Sequence, residues 1–119
     1  MFDLIGLNGE KLLVAAKSIY RLRPTTPHAG QDVTMVEYGG GYVFTLEPMG
    51  SILARIGADS TFVRFSTRSG KPVYLNRAAI SRVRVSLPVN GEGTEIVVAG
   101  RYQHVTEPLA IVEALLNTQ

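Results

Sequence analysis

The densest chemical feature of this chain is a run of cations. Arg64, Arg68, Lys71, Arg77, Arg82 and Arg84 fall between Phe62 and Arg84 with no carboxylate among them. In extended backbone, alternate residues share a face, so Arg82 with Arg84 can present two guanidinium groups to successive phosphates, and Arg64 with Arg68 has the same strand spacing. Tyr74 and Tyr102 are the aromatic residues placed to stack on bases. The plain alternative is a solvated sheet face, where alternating arginines also occur.

Other groups are weaker candidates for chemistry. His28 stands in a Pro/Gly loop and His104 inside a strand pattern, and no His, Asp or Glu spacing supplies the further ligands a metal needs. Glu47 and Glu107 occupy equivalent places, each before a proline, which would suit paired acid/base work. An acidic residue is also expected at a helix start for electrostatic reasons alone, and that structural role is preferred here. Gly39-Gly40-Gly41 lies between two strand patterns and lacks a following Lys-Ser/Thr, so it reads as a hairpin turn and not a phosphate loop. Asn90-Gly91-Glu92-Gly93 offers one carboxylate, too few for calcium. No nucleophile, base and orienting group can be named together, so no enzyme, cofactor or metal is expected.

The positive charge is local. Residues 1–60 hold five Lys/Arg against six Asp/Glu, whereas residues 61–119 hold seven against four, and the surplus lies in the second half. The chain has no cysteine, which excludes disulfides and thiolate metal sites and makes a cytoplasmic setting the expectation. No apolar run approaches the ~18 residues of a membrane span, so no membrane partner is expected.

The elements that must position these residues come in two sets. Shifting the chain by 61 matches Gly9 with Gly70, Ile19 with Ile80, Arg21 with Arg82 and Arg23 with Arg84; after a one-residue deletion, Glu47-Pro48 matches Glu107-Pro108. Residues 1–60 and 61–119 are therefore read as diverged copies of one unit. Each has a strand, a turn at Asn8-Gly9 or Ser69-Gly70, a second strand, a short bend, and a third strand at Ile19–Arg23 or Ile80–Val85. A loop (Pro24–Asp32; Pro88–Gly93) leads to a hairpin and a closing helix with apolar residues at helical spacing. The expected fold is mainly β: about five short antiparallel strands plus a C-terminal helix per copy, forming paired small barrels or one β-sandwich with a shared core.

Each copy resembles the short FlbD-type proteins of flagellar and phage reading frames. The second copy carries the pattern in Gly70-Lys71-Pro72-Val73-Tyr74-Leu75-Asn76, Ile80, Thr94–Val98 and Gly100; the first carries Leu7-Asn8-Gly9 and Ile19 but lacks the Asn that ends the second strand. The full length also resembles a LytTR-type DNA-binding domain, an all-strand fold with two similar halves, through Phe62-Val63-Arg64-Phe65, Tyr74-Leu75-Asn76 and Ile80. Where that family has a His-Arg-Ser triplet this chain has Ser66-Thr67-Arg68-Ser69, and where it has a basic stretch after the last strand this chain has Thr106-Glu107-Pro108.

Together these features predict a non-enzymatic module that binds DNA or RNA phosphates through a basic sheet face of residues 61–119. The competing expectation is a flagellar or phage accessory factor without nucleic-acid binding, an assembly protein that pairs its exposed strand edges into a homo-oligomer.

Overall fold

The computed structural model describes residues 1–25 and 33–117. His28 and most of the Pro24–Asp32 loop lie outside the described residues. The chain is mainly β, with the strands β1 (Phe2–Ile5), β2 (Lys11–Val14), β3 (Ile19–Thr25), β4 (Val33–Tyr38) and β5 (Gly41–Thr45) followed by helix α1 (Met49–Ile56). The same order recurs as β6 (Phe62–Ser66), β7 (Pro72–Asn76), β8 (Ile80–Val85), β9 (Thr94–Val98), β10 (Arg101–Val105) and helix α2 (Leu109–Asn117). The bend before each third strand is one 3-10 turn, Ala16–Ser18 and Arg77–Ala79.

The strands form three open antiparallel sheets, in the orders β1-β2, β5-β4-β3-β7-β6 and β10-β9-β8. The middle sheet is built by both halves. Its seam is the pairing of β3 with β7, with Arg21 opposite Leu75 and Leu22 opposite Tyr74. At the same seam the buried Asn76 side chain donates to Ile19 O at 2.9 Å and accepts from Ala78 N at 3.1 Å. Periodicity shows that a strand exists but not which strand it joins, so this exchange was not visible in the sequence.

Two apolar clusters form, one centred on each half. One is Leu4, Val14, Ile19, Leu22, Val36, Ile52 and Ile56; the other is Phe65, Val73, Leu75, Ile96, Val98, Val105 and Val112, joined by Tyr20. Each half thus buries its own hairpin, meander and helix against one another. Tyr20 crosses into the second cluster, while Phe62 and Tyr74 cross the other way to pack on the first. Alternation supplies the reason: the two faces of the middle sheet look toward different halves.

The registers refine how the halves correspond. Ile19 opposes Tyr38 ahead of a bulge, and Ile80 opposes Val98 ahead of a bulge at the same place. Positions 61 apart match through β3 and β8, but across β4 and β9 the matching positions are 60 apart. Thr34 donates to Glu47 O as Thr94 donates to Glu107 O. The one-residue deletion therefore falls between the third strand and β4. Gly40 and Gly100 are the equivalent turn glycines, with φ of 100° and 78°.

Ahead of Gly100 stands Ala99 at φ 49°, a left-handed conformation that its Cβ disfavours. Ala99→Gly, which supplies the residue at the first turn's equivalent position, is expected to raise unfolding stability by about 0.5–1 kcal/mol, the relief of strain exceeding the greater freedom of the unfolded chain. Chemical denaturation measures it, and a lower midpoint in the variant contradicts the turn assignment.

Candidate nucleic-acid interface

The site grows from β3. Its bulge buries Tyr20 and turns Arg21 into the space between the halves, where the residue is only 4% exposed. Arg21 meets Glu37 of β4, 3% exposed, through two bonds of 2.6 Å, and its third nitrogen donates to Gln103 Oε1 of β10 at 2.9 Å. Bidentate pairing and a further acceptor are what a buried guanidinium requires. Alternation alone places Arg21 on a solvated face. The missed signal was Glu37 on the neighbouring strand, directly opposite it.

Glu37 also accepts from Arg23 Nε at 3.0 Å. Two guanidinium groups on one carboxylate leave one positive charge over. The exposed member of the trio is Arg23, with 39% of its side chain reaching solvent. Burial first, and then the charge of Arg21, lower the pKa of Arg23, with Glu37 opposing. The group stays cationic, since a guanidinium is not deprotonated in proteins, but it sits where an anion would be welcome.

Arg23 opens onto a cleft of about 330 Å³ between β10 and the β6–β7 turn, lined by Arg68, Ser69, Lys71, Gln103 and His104 among others. Arg68 and Lys71 are exposed, and Arg68 has no carboxylate partner among the described residues. His104 Nε2 lies 3.0 Å from Glu92 O, an acceptor, so that nitrogen carries the proton. Gly93 makes this approach possible, because a Cβ there would lie 2.2 Å from Val105 O.

The six cations do not form one face. Arg68 and Lys71 share the cleft. Arg82 and Arg84 stand on the outer face of the three-stranded sheet, where the cross-strand rows run Arg82, Val97, Tyr102 and Arg84, Glu95, His104. Arg84 Nε bonds Glu95 at 2.8 Å, and Arg82 lies 3.9 Å from the same carboxylate. His104 belongs to both this face and the cleft. Arg64 is opposite Tyr74 on β6, on the side away from the buried Phe65, and Arg77 caps the far end of β7 beside Lys17. Of the two tyrosines, Tyr102 is 66% exposed, whereas Tyr74 packs on the first apolar cluster.

The first half holds the same cleft with opposite chemistry. Between β5 and the β1–β2 turn lies a hollow of about 400 Å³ lined by Leu7, Asn8, Glu10, Tyr42, Val43 and Phe44, among others. Matched through the registers, Leu7 stands for Arg68, Glu10 for Lys71, Val43 for Gln103 and Phe44 for His104. The backbone is shared, but at these positions Arg68, Lys71 and His104 of the second half are Leu7, Glu10 and Phe44 in the first.

Comparison with family models, curated proteins and solved structures returns no match. What the site can do is therefore argued from its own geometry.

The two glutamates are structural. Glu107 accepts Ser66 N at 3.0 and 2.9 Å through its two oxygens, fastening the end of β6. Glu47 accepts from Arg55 at 2.7 and 2.9 Å and from Ser51 at 2.7 Å, and Arg55 reaches on to Asp3 and lies over the Phe2 ring, tying α1 to β1. Gly39-Gly40 is the β4–β5 turn. Among the described residues no three His, Asp or Glu side chains converge.

The Arg55 bonds, chiefly, hold the Glu47 carboxyl below its ordinary value of 4.5. As pH falls, the unfolded carboxyl takes up its proton first. The pair's stabilisation is thus full above about pH 4.5 and is lost as pH drops through the lower folded value. Arg55→Gln is expected to flatten this acid limb of the stability profile, measured by denaturation at several pH values. Identical acid limbs would show that the pair does not hold the helix.

Proposed function

We propose that the chain is a non-enzymatic nucleic-acid-binding module. The observation that carries the reading is the cleft of the second half, lined by Arg23, Arg68, Lys71 and His104, where Arg23 shares the Glu37 carboxylate with Arg21 and Arg68 has no carboxylate partner among the described residues. Phosphate oxygens fit this arrangement, since arginine donates in a planar fork and lysine adds a point charge.

From the cleft the surface continues past His104 to Arg84, Arg82 and Tyr102, a stretch that can follow a backbone and offer one ring for stacking. Arg64 and Arg77 fall outside this path and serve as remote charge. The resemblance to LytTR-type domains points the same way in outline only, because this chain carries Ser66-Thr67-Arg68-Ser69 where that family has its His-Arg-Ser triplet. The first half argues against a general basic surface, because its hollow carries Leu7 and Glu10 where the second carries Arg68 and Lys71.

Binding of this kind is driven by counterion release, so affinity should fall steeply with salt, with a log–log slope near −0.9 per phosphate contacted on duplex DNA. Fluorescence anisotropy with mixed-sequence duplex DNA and with single-stranded RNA, at two or more salt concentrations, tests this. Arg68→Leu with Lys71→Glu, the residues of the first half, is expected to weaken binding at every sequence and to lower the slope by about two, one per lost contact. Absence of binding at low salt, or an unchanged slope in the variant, overturns the reading.

A further inference from the structure

We propose that the chain associates head to tail with a second copy of itself, hairpin β1–β2 of one copy adding to the edge of β8 in the other, an edge that pairs with no strand among the described residues. The interface this requires already exists once within the chain. Hairpin β6–β7 lies against β3, making the middle sheet five strands wide, whereas hairpin β1–β2 and sheet β10-β9-β8 stand as separate sheets of two and three. Joining them gives the order β10-β9-β8-β2-β1, the counterpart of β5-β4-β3-β7-β6.

The register follows from the existing seam. Leu75 opposes Arg21 and Tyr74 opposes Leu22, so the matching positions set Val14 opposite Arg82 and Leu13 opposite Val83. The burial agrees with a surface left uncovered. Phe62 and Tyr74, which carry the second hairpin onto the first apolar cluster, correspond to Met1 and Leu13, which are 84% and 55% exposed. On the receiving side, β3 is buried from Ile19 through Leu22, whereas Ser81, Arg82, Arg84 and Val85 of β8 are exposed. An unpaired strand edge beside apolar side chains is a template for another chain.

The second copy is chosen as occupant because this chain carries both halves of the contact. Each surface meets a different one, so the contact is heterologous and extends into a ring or a filament. It also lacks two clamps of the internal seam. Asn76, whose amide holds Ile19 O, is replaced by Ala15, and Gln103, which accepts from Arg21, is replaced by Val43. Association is accordingly reversible and weaker than the seam. Ala15 has φ −70° and ψ 129°, close to the −70° and 116° of Asn76, so an asparagine there would reach Ile80 O of the neighbouring copy.

The absence of cysteine makes the test direct. Leu13→Cys and Val83→Cys chains, one enlarged by a tag, are mixed and oxidised, so that an internal link cannot form. The mixed dimer is expected to exceed both like-with-like dimers. Cross-links in random proportion, or none, overturn the proposal. Sedimentation of the native chain against Ala15→Asn and Leu13→Glu gives a second readout. Ala15→Asn should associate about fivefold more tightly, the worth of one net hydrogen bond, and Leu13→Glu should remain monomeric. Equal association of all three contradicts the register. Nucleic-acid binding by the monomer is a separate measurement, and its outcome does not decide this one.

Discussion

Everything in this molecule is arranged around one buried ion pair. Arg21 and Glu37 meet at the seam between the halves with less than a tenth of either exposed, and water contributes little to their solvation. A buried charge of this kind is tolerable only when its partner and its remaining hydrogen bonds are in place. Glu37 of β4 and Gln103 of β10 meet that demand together, which ties the last strand of the second half to the β3–β4 pair. The same carboxylate also holds Arg23, so the neutrality of the seam is incomplete. The surplus charge emerges at the cleft.

The two halves show how a shared backbone can carry different chemistry. Both place a hollow between the last strand and the turn of the first hairpin. In the first half its walls are Leu7, Glu10 and Phe44, and in the second they are Arg68, Lys71 and His104. The paired arginines on the third strands diverge as well. Arg21 and Arg23 are tied to Glu37 at the seam, while Arg82 and Arg84 share Glu95 on an outer face. Position in the assembly, and not residue type, decides which guanidinium is structural and which remains available to a ligand.

Much of the fold was legible in the sequence. Alternation located the third strands, glycine turns located the hairpins, and Glu47-Pro48 and Glu107-Pro108 marked the helix starts, because these signals are local. Gly57 closes α1 at φ 58°, as a residue without a Cβ can. The exchange of strands between halves was not legible, since two residue pairs at the β3–β7 seam leave no periodic trace. Nor was the partition of the cations. Lys71 and Arg77 are six residues apart in sequence but lie beyond opposite ends of β7, and Arg68 sits in a turn where strand spacing no longer governs direction. Arg23 was missed as a site residue because its role depends on a carboxylate on another strand.

A double-mutant cycle between Arg21 and Glu37, read as unfolding free energy, tests the central claim most directly. Glu37→Leu alone leaves the buried Arg21 without its carboxylate and is expected to cost about 3–5 kcal/mol, and Arg21→Leu alone less than that, because Arg23 still pairs with Glu37. The double variant should recover much of that loss, because two apolar side chains no longer require each other. Single variants within about 1 kcal/mol of the native chain, the scale of an exposed pair, or single losses that simply add in the double, would contradict the account.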